Sequence, residues 1–183
     1  QREIMDAFNE PDIQRIIFMK SAQVGATEIL LNVIGYYIDQ DPAPMLIMQP
    51  TLAMAQAFSK DRLATMIRDS DKIKDCVKDA RSRDSGNTVL SKKFAGGNLN
   101  IVGSNSISLA TKRTTTFWNK KIYMCSTPTI KGLSRIETAF EESDKRYYNV
   151  PCPECNTKQI LKWKNVIWDE GKPETAHYCC QEC

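Results

Sequence analysis

Apolar and polar positions along the chain follow two rhythms. Unbroken apolar runs at Ile16–Met19 and Met45–Met48 have the length of strands buried on both faces, whereas Thr27–Ile38 and Ala53–Arg68 space their apolar residues as helices do. Strand, helix, strand, helix in that order predicts parallel pairing with right-handed crossovers. Ile4, Met5 and Phe8 mark a short helix within Gln1–Asn9, closed by the turn Asn9-Glu10-Pro11-Asp12. Residues 69–87 are polar and read as loop or irregular helix. Thr88–Phe94 and Asn98–Val102, joined by Ala95-Gly96-Gly97, predict a hairpin. Lys121–Cys125 reads as a further buried strand, and Ser134–Ser143 as a helix with Ser134 and Glu137 at capping-box spacing. From Pro151 onward Cys, Pro, Trp and turn residues replace the periodic pattern, which sets a boundary near residue 150. There is no internal repeat or low-complexity tract.

Bulk composition narrows the class. With 183 residues, 42% hydrophobic and 26% charged, the chain fits one α/β domain plus a small appendage. A net charge of +3, from 25 basic and 22 acidic residues, is too weak for a basic tail or a membrane-binding field, so any nucleic-acid contact must be local. No run approaches the roughly 20 apolar residues of a membrane span, and no signal-peptide pattern is present, so no membrane partner is expected. The sequence starts at Gln1 and stops at Cys183, which reads as an internal piece of something longer.

The turn after the first strand carries the first candidate chemistry. Lys20-Ser21-Ala22-Gln23-Val24-Gly25-Ala26-Thr27 approaches the phosphate-loop pattern of Gly, four residues, Gly, Lys and Ser or Thr. Lys20 stands where the first glycine belongs, Gly25 is the second, Ala26 takes the lysine position and Thr27 is in register. Such a loop needs backbone amides from a helix N-terminus, a close-approach glycine, a lysine and a hydroxyl for Mg2+. Gly25, Thr27 and the helix start supply most of these, and the flexible stem of Lys20 is long enough to fold back toward a phosphate. On motif grammar alone a plain strand-to-helix turn is an equally good reading.

The second candidate is a metal module. Five of the seven cysteines fall in the last 32 residues, which favours metal over disulfides and a reducing compartment. Cys152 and Cys155 form one C-x2-C, and Cys180 with Cys183 a second, a zinc-ribbon spacing suited to tetrahedral Zn2+. Cys179 competes with Cys180, which is preferred because it repeats the geometry of the first pair. A closed four-thiolate site has no open position, so its role is structural. His177 reads as a surface or packing residue, and Cys76 and Cys125 as incidental thiols. Lys158, Lys162 and Lys164 with Trp163 and Trp168 give this module a basic, aromatic side; core filling is the preferred role for the tryptophans over contact with DNA.

Five segments, "QREIMDAF", "FMKSAQVGATE", "LIMQPTLAMAQAFSKDRL", "KRTTTFWNKKIYMCSTPTIKGLSRIETAFEESDKRYY" and "VPCPECNTKQILKW", together resemble the large terminase subunit of lambda-type tailed bacteriophages, an ATPase that packages DNA into procapsids. The resemblance covers nearly the whole chain. It implies a P-loop NTPase-like, parallel-rich sheet flanked by helices over residues 1–150, and a zinc ribbon over 151–183. In that family the lysine sits at the front of the loop, so Lys20 resembles the displaced lysine. Lys20, Ser21, Ala22, Gln23, Val24, Gly25, Ala26 and Thr27 become the ATP-binding loop, with Thr27 as Mg2+ ligand and Gln23 as an alternative positioner of water or phosphate. Gln1, beside Arg2, resembles an adenine-recognition motif. Ser126 and Thr127, followed by Pro128, resemble the motif that couples hydrolysis to movement. Arg62, Arg113 and Arg135 are candidates for an arginine acting in trans.

One expected part is missing. A P-loop motor needs a carboxylate at the end of a buried strand to hold Mg2+. The family carries an apolar strand ending in Asp-Glu between the segments resembling "IVGSNS" and "KRTTTFWNKK", yet here only Ile107–Thr111 separates them. The one apolar run ending in Asp-Glu, Val166–Glu170, lies between the cysteine pairs and reads as a turn of the metal module. The resemblance therefore implies an ATPase with an apparent gap at 107–111. Its implied partners are double-stranded viral DNA, the small terminase subunit, the portal and procapsid, and further copies of itself, in the host bacterial cytoplasm. An endonuclease domain, which follows in the family, is expected to lie outside this sequence. A non-catalytic DNA- or partner-binding scaffold and a helicase-like ATPase are the alternatives.

Overall fold

The computed structural model describes residues 1–77, 87–103 and 107–183, apart from the Leu109 side chain. The chain packs as two compact units, Gln1–Ala139 and Phe140–Cys183.

In the first unit, helix α1 (Arg2–Asp6) leads into strand β1 (Arg15–Met19), helix α2 (Ala26–Asp39) and strand β2 (Met45–Gln49). Next come α3 (Leu52–Ala57) and α4 (Ala64–Asp69), joined without a break by a π-helical segment, Phe58–Leu63. The Thr51 hydroxyl caps α3 by accepting the Met54 N–H at 3.2 Å. The sequence reads Ala53–Arg68 as one helix; the π turn inside it inserts an extra residue, which brings Phe58, Ser59 and Leu63 together on the buried side. Of the polar stretch 69–87, residues 78–86 lie outside the described residues, and the part before them buries Ile73 and Val77.

The predicted hairpin forms as β3 (Ser91–Phe94) antiparallel to β4 (Gly97–Gly103), and β4 also pairs in parallel with β2. Ser104–Ser106, in the segment "IVGSNS", lie outside the described residues. A helix the sequence reading did not anticipate, α5 (Ile107–Lys112), follows, then β5 (Ile122–Ser126) and α6 (Arg135–Glu141). The capping-box expectation at α6 changes partner, since the Glu137 carboxylate accepts the Gly132 N–H at 2.6 Å.

Parallel pairing is present but divided. One sheet is β1–β5, parallel, with Met19 opposite Ser126; the other has the order β2–β4–β3. The core belongs mainly to the second: Leu31, Ile34 and Ile38 from α2 and Ala55, Phe58 and Leu63 from the α3–α4 helix pack with Ile47, Leu99 and Ile101 of β2 and β4. These apolar side chains are removed from water from two helices and two strands at once, at about 25 cal/mol per Å2 of apolar surface.

The second unit carries two small hairpins. Strands β6 (Val150–Pro151) and β7 (Lys158–Gln159) pair antiparallel, as do β8 (Val166–Asp169) and β9 (Lys172–Tyr178), with a bulge at Ile167/Asp169. Val166–Glu170 is thus β8 and the start of its turn, with Gly171 at φ +77°. Trp163 and Trp168 lie 6.4 Å apart, and both are exposed, 78% and 52%. They do not fill a core, as the sequence reading preferred, because two short hairpins leave too little volume to enclose either ring.

Candidate functional site

Three segments far apart in sequence converge at the end of β1. As the chain leaves this strand, the Lys20 N–H donates to the Ser126 carbonyl at 3.1 Å, extending the β1–β5 ladder by one rung. The loop then turns through Gln23 at φ +61° and Gly25 at φ +80°, and α2 starts with Ile29 N–H donating to the Gly25 carbonyl at 3.1 Å. Two left-handed residues within three positions fold the loop back over the helix N-terminus, where backbone N–H groups are unsatisfied by the helix itself.

Gln1 closes the third side. Its Nε2 donates to the Val24 carbonyl at 2.8 Å, and a Cβ on Gly25 would lie 2.5 Å from the same nitrogen. Gly25 is favoured by its positive φ, and a Cβ there would displace the end of the flexible Gln1 side chain from the Val24 carbonyl. Ser21, Ala22, Gln23 and Thr27 are exposed, Lys20, Val24 and Gly25 half-buried and Ala26 buried. The Lys20 Nζ donates to the Ser21 carbonyl at 3.2 Å, so the ammonium lies over the loop. Ser126 and Thr127 are exposed at the end of β5, with the Ser126 hydroxyl donating to the Thr127 carbonyl at 3.2 Å.

The nearest charged neighbours in sequence to Thr27 are already engaged. Glu28, in the first turn of α2, pairs with Arg62 at 3.7 Å, so this candidate trans-acting arginine has a partner within its own chain. Arg113 and Arg135 are exposed. The Glu28–Arg62 pair was not read from the sequence, because its members lie on different helices and follow no periodic signal. The helix that carries Gln1 is anchored by Phe8, buried and 5.6 Å from the Tyr123 ring of β5.

The second site is built by two tight turns of the second unit. Cys152, Cys155, Cys180 and Cys183 bring their sulfurs within 4.8 Å of one another, the only such metal-ligating cluster among the described residues. The Cys152–Cys183 and Cys155–Cys180 sulfurs stand 3.8 and 3.7 Å apart. Disulfides would need about 2.05 Å. A tetrahedron with Zn–S arms of about 2.3 Å has edges of about 3.8 Å, so the four thiols fit zinc in both chemistry and span.

Each turn is set by backbone hydrogen bonds. Cys152 N–H donates to the Thr157 carbonyl and Asn156 N–H to the Cys152 carbonyl, both at 2.9 Å, with Asn156 at φ +59°. The Gln159 side chain accepts the Gln181 N–H at 3.0 Å and braces the second pair. Backbone N–H groups of Cys183 and Glu182 hold the Cys180 thiol down to about 6, and a Thr157 hydrogen bond lowers Cys155. Cys183 is pushed up to about 12, because its thiol shares hydrogen bonds with Cys155, Cys180 and Cys152. Cys179 stays outside the cluster: its N–H donates to the Asn165 carbonyl at 2.8 Å and the Asn165 amide donates back at 3.3 Å. His177 is exposed, with Nδ1 2.9 Å from the Thr175 carbonyl.

Comparison with known proteins adds a family and its extent. The model of the phage terminase large subunit gpA, ATPase domain, matches residues 1–108 and 104–183. The chain is 29% identical to a terminase large subunit of Enterobacteria phage P21, over 97% of this chain and 34% of the relative. It is 26% identical to that of Escherichia phage lambda, over 99% of this chain and 34% of the relative. The chain thus spans about a third of the length of these curated relatives. The P21 alignment has 218 positions against 183 residues, so at least 35 positions of the relative have no counterpart here. No solved structure matches the chain.

Proposed function

The chain belongs to the ATPase-domain family of the phage terminase large subunit gpA, and from that membership we propose that it is the nucleotide-binding part of a DNA-packaging motor. ATP sits in the loop Lys20–Thr27 on a P-loop-type sheet. Lys20 and the loop amides meet the phosphates, Thr27 contributes its hydroxyl to Mg2+, and Gln1 recognises the base side. Ser126 and Thr127 carry the state of the nucleotide to the rest of the motor. The observation that supports this best is the convergence at the β1 end: Lys20 bonded to Ser126, and Gln1 lying on the Val24 carbonyl.

Zn2+ in Cys152, Cys155, Cys180 and Cys183 holds the second unit as a ribbon. The partners are double-stranded viral DNA, the small terminase subunit, the portal and procapsid, and further copies of the motor in the host cytoplasm. Endonuclease activity belongs to sequence beyond the aligned third of the relatives.

A second reading, a scaffold that holds nucleotide without turning it over, draws on one specific observation. Among the described residues, Glu28 is the only acid within the loop or the first turn of α2, and it is paired with Arg62. Among the described residues a helix, α5, stands where the acid-bearing strand was expected near 107–111, and the two family matches overlap at residues 104–108. ATP binding and hydrolysis by the 183-residue chain and its Lys20→Ala variant, with Mg2+ and Zn2+ present, decide between them. Lys20-dependent turnover supports the motor enzyme, and Lys20-dependent binding without turnover supports the scaffold. Binding indifferent to Lys20 removes both.

A further inference from the structure

We propose that the exposed pair Trp163 and Trp168, with the lysines of the same segment, is a single-stranded nucleic-acid site: the indole rings stack on bases, and Lys158, Lys162 and Lys164 meet the phosphates.

The backbone beneath Trp163 is fixed while its ring is open to water. Lys162 N–H donates to the Tyr178 hydroxyl at 3.1 Å, Asn165 N–H donates to the Lys162 carbonyl at 3.0 Å, and the Asn165 side chain is tied to the Cys179 carbonyl. Trp163 stands on this single helical turn, and Trp168 lies where the β8–β9 pairing is interrupted between Ile167 and Asp169. Such an interruption re-aims a side chain. The two rings are tilted by 47° to one another, so they do not stack flat on each other and each keeps π-surface for a third ring. Ile160, Leu161 and Ile167 of the same stretch are exposed as well. Exposed apolar side chains gathered in this way mark an interaction surface.

Charge selects the partner. Lys158, Lys162 and Lys164 are exposed, none has an ion-pair partner among the described residues, and no acid occurs from Asn156 through Trp168. The acids of this unit lie elsewhere in its sequence: Glu141, Glu142 and Asp144 before β6, Glu154 and Glu182 in the cysteine turns, and Asp169, Glu170 and Glu174 around the β8–β9 turn. Lysines interleaved with indoles answer a chain in which phosphates are interleaved with bases. Stacking on an indole needs a base with an open face, which a single strand offers and a duplex covers with its own neighbouring pairs. An acidic peptide would satisfy the lysines alone. This site involves neither ATP nor the Lys20 loop, so it goes beyond the reading above.

The test uses the full 183-residue chain with Zn2+ present and a fluorescein-labelled thymidine oligonucleotide of about 20 nucleotides, long enough to span a single-strand site. Saturable binding by fluorescence anisotropy is expected. Trp163→Ala should weaken it about tenfold, within the roughly 5- to 150-fold that stacking on one aromatic supplies, and Trp163→Phe should retain most of it. Lys164→Ala should reduce the slope of log affinity against log salt concentration by about 0.7, whereas Trp163→Ala leaves that slope unchanged. Trp163 is exposed, so its substitution removes no core surface. No binding, equally tight binding of a duplex or of polyglutamate, or an affinity indifferent to Trp163→Ala but lost in a variant of the exposed Trp118 of the first unit, Trp118→Ala, overturns the proposal. Because the measurement contains no ATP, its failure is separate from failure of the ATP-binding reading.

Discussion

The Gln1 side-chain amide donates to the Val24 carbonyl across 23 positions of sequence, at 2.8 Å, and so ties the front of the chain to the turn that starts α2. That bond makes the loop a three-walled feature: Gln1 on one side, the α2 N-terminus beneath, and the β1–β5 ladder behind.

Gln1→Ala should loosen the loop without unfolding the chain, because Gln1 is exposed and contributes no core surface. One hydrogen bond of this kind is worth about 0.5–1.5 kcal/mol, so a fluorescent ATP analogue should bind about 2- to 12-fold more weakly. Unchanged affinity in a titration would show that Gln1 does not shape the proposed nucleotide site.

Gly25→Ala tests the loop from inside. The residue has φ +80°, and an added Cβ would meet Gln1 Nε2 at 2.5 Å. A left-handed alanine costs about 1–2 kcal/mol, and Gln1 must also leave. Nucleotide affinity should therefore fall further than in Gln1→Ala, while the far-ultraviolet circular dichroism stays as in the parent.

Much of this fold is legible in the sequence where one local rule suffices. Apolar runs at Ile16–Met19 and Met45–Met48 form β1 and β2, and the glycines after Phe94 turn the β3–β4 hairpin. The two C-x2-C pairs announce the sulfur cluster, since ligand spacing is itself a short-range signal. What the sequence hides is long-range or non-periodic. The π turn at Phe58–Leu63 keeps a helical apolar pattern, Glu28–Arg62 joins separate helices, and α5 lies where a gap was expected. The division into two sheets is invisible because strand propensity says nothing about which strand pairs with which.

Cys155→Ser should remove one of the four proposed zinc ligands and with it metal-supported folding of the second unit. Apparent zinc energies of about 10–16 kcal/mol are on the scale of a whole domain's stability. The parent should contain one Zn2+ per chain by mass spectrometry under native conditions, and chelation should collapse the dispersed amide signals of Val150–Cys183. Cys179→Ser should retain the metal, because the structural role of that residue is its backbone pairing with Asn165. Metal loss in Cys179→Ser alone would reassign the third ligand.

Tyr123→Phe isolates the enclosed hydroxyl of β5. Removing a buried phenol hydroxyl whose polar neighbour is the Cys125 thiol should change stability by no more than about 1 kcal/mol, whereas the ring contact with Phe8 persists. The two proteins should also differ at alkaline pH. Burial raises the Tyr123 phenol above its usual value near 10, so the folded chain retains a proton that the unfolded chain releases. The parent therefore carries this contribution in full below pH 10 and loses it as pH rises beyond, and Tyr123→Phe should lose less stability over the same interval. Urea midpoints at pH 8 and pH 10.5 measure the difference; parallel loss in both proteins would mean that the hydroxyl reaches water in solution.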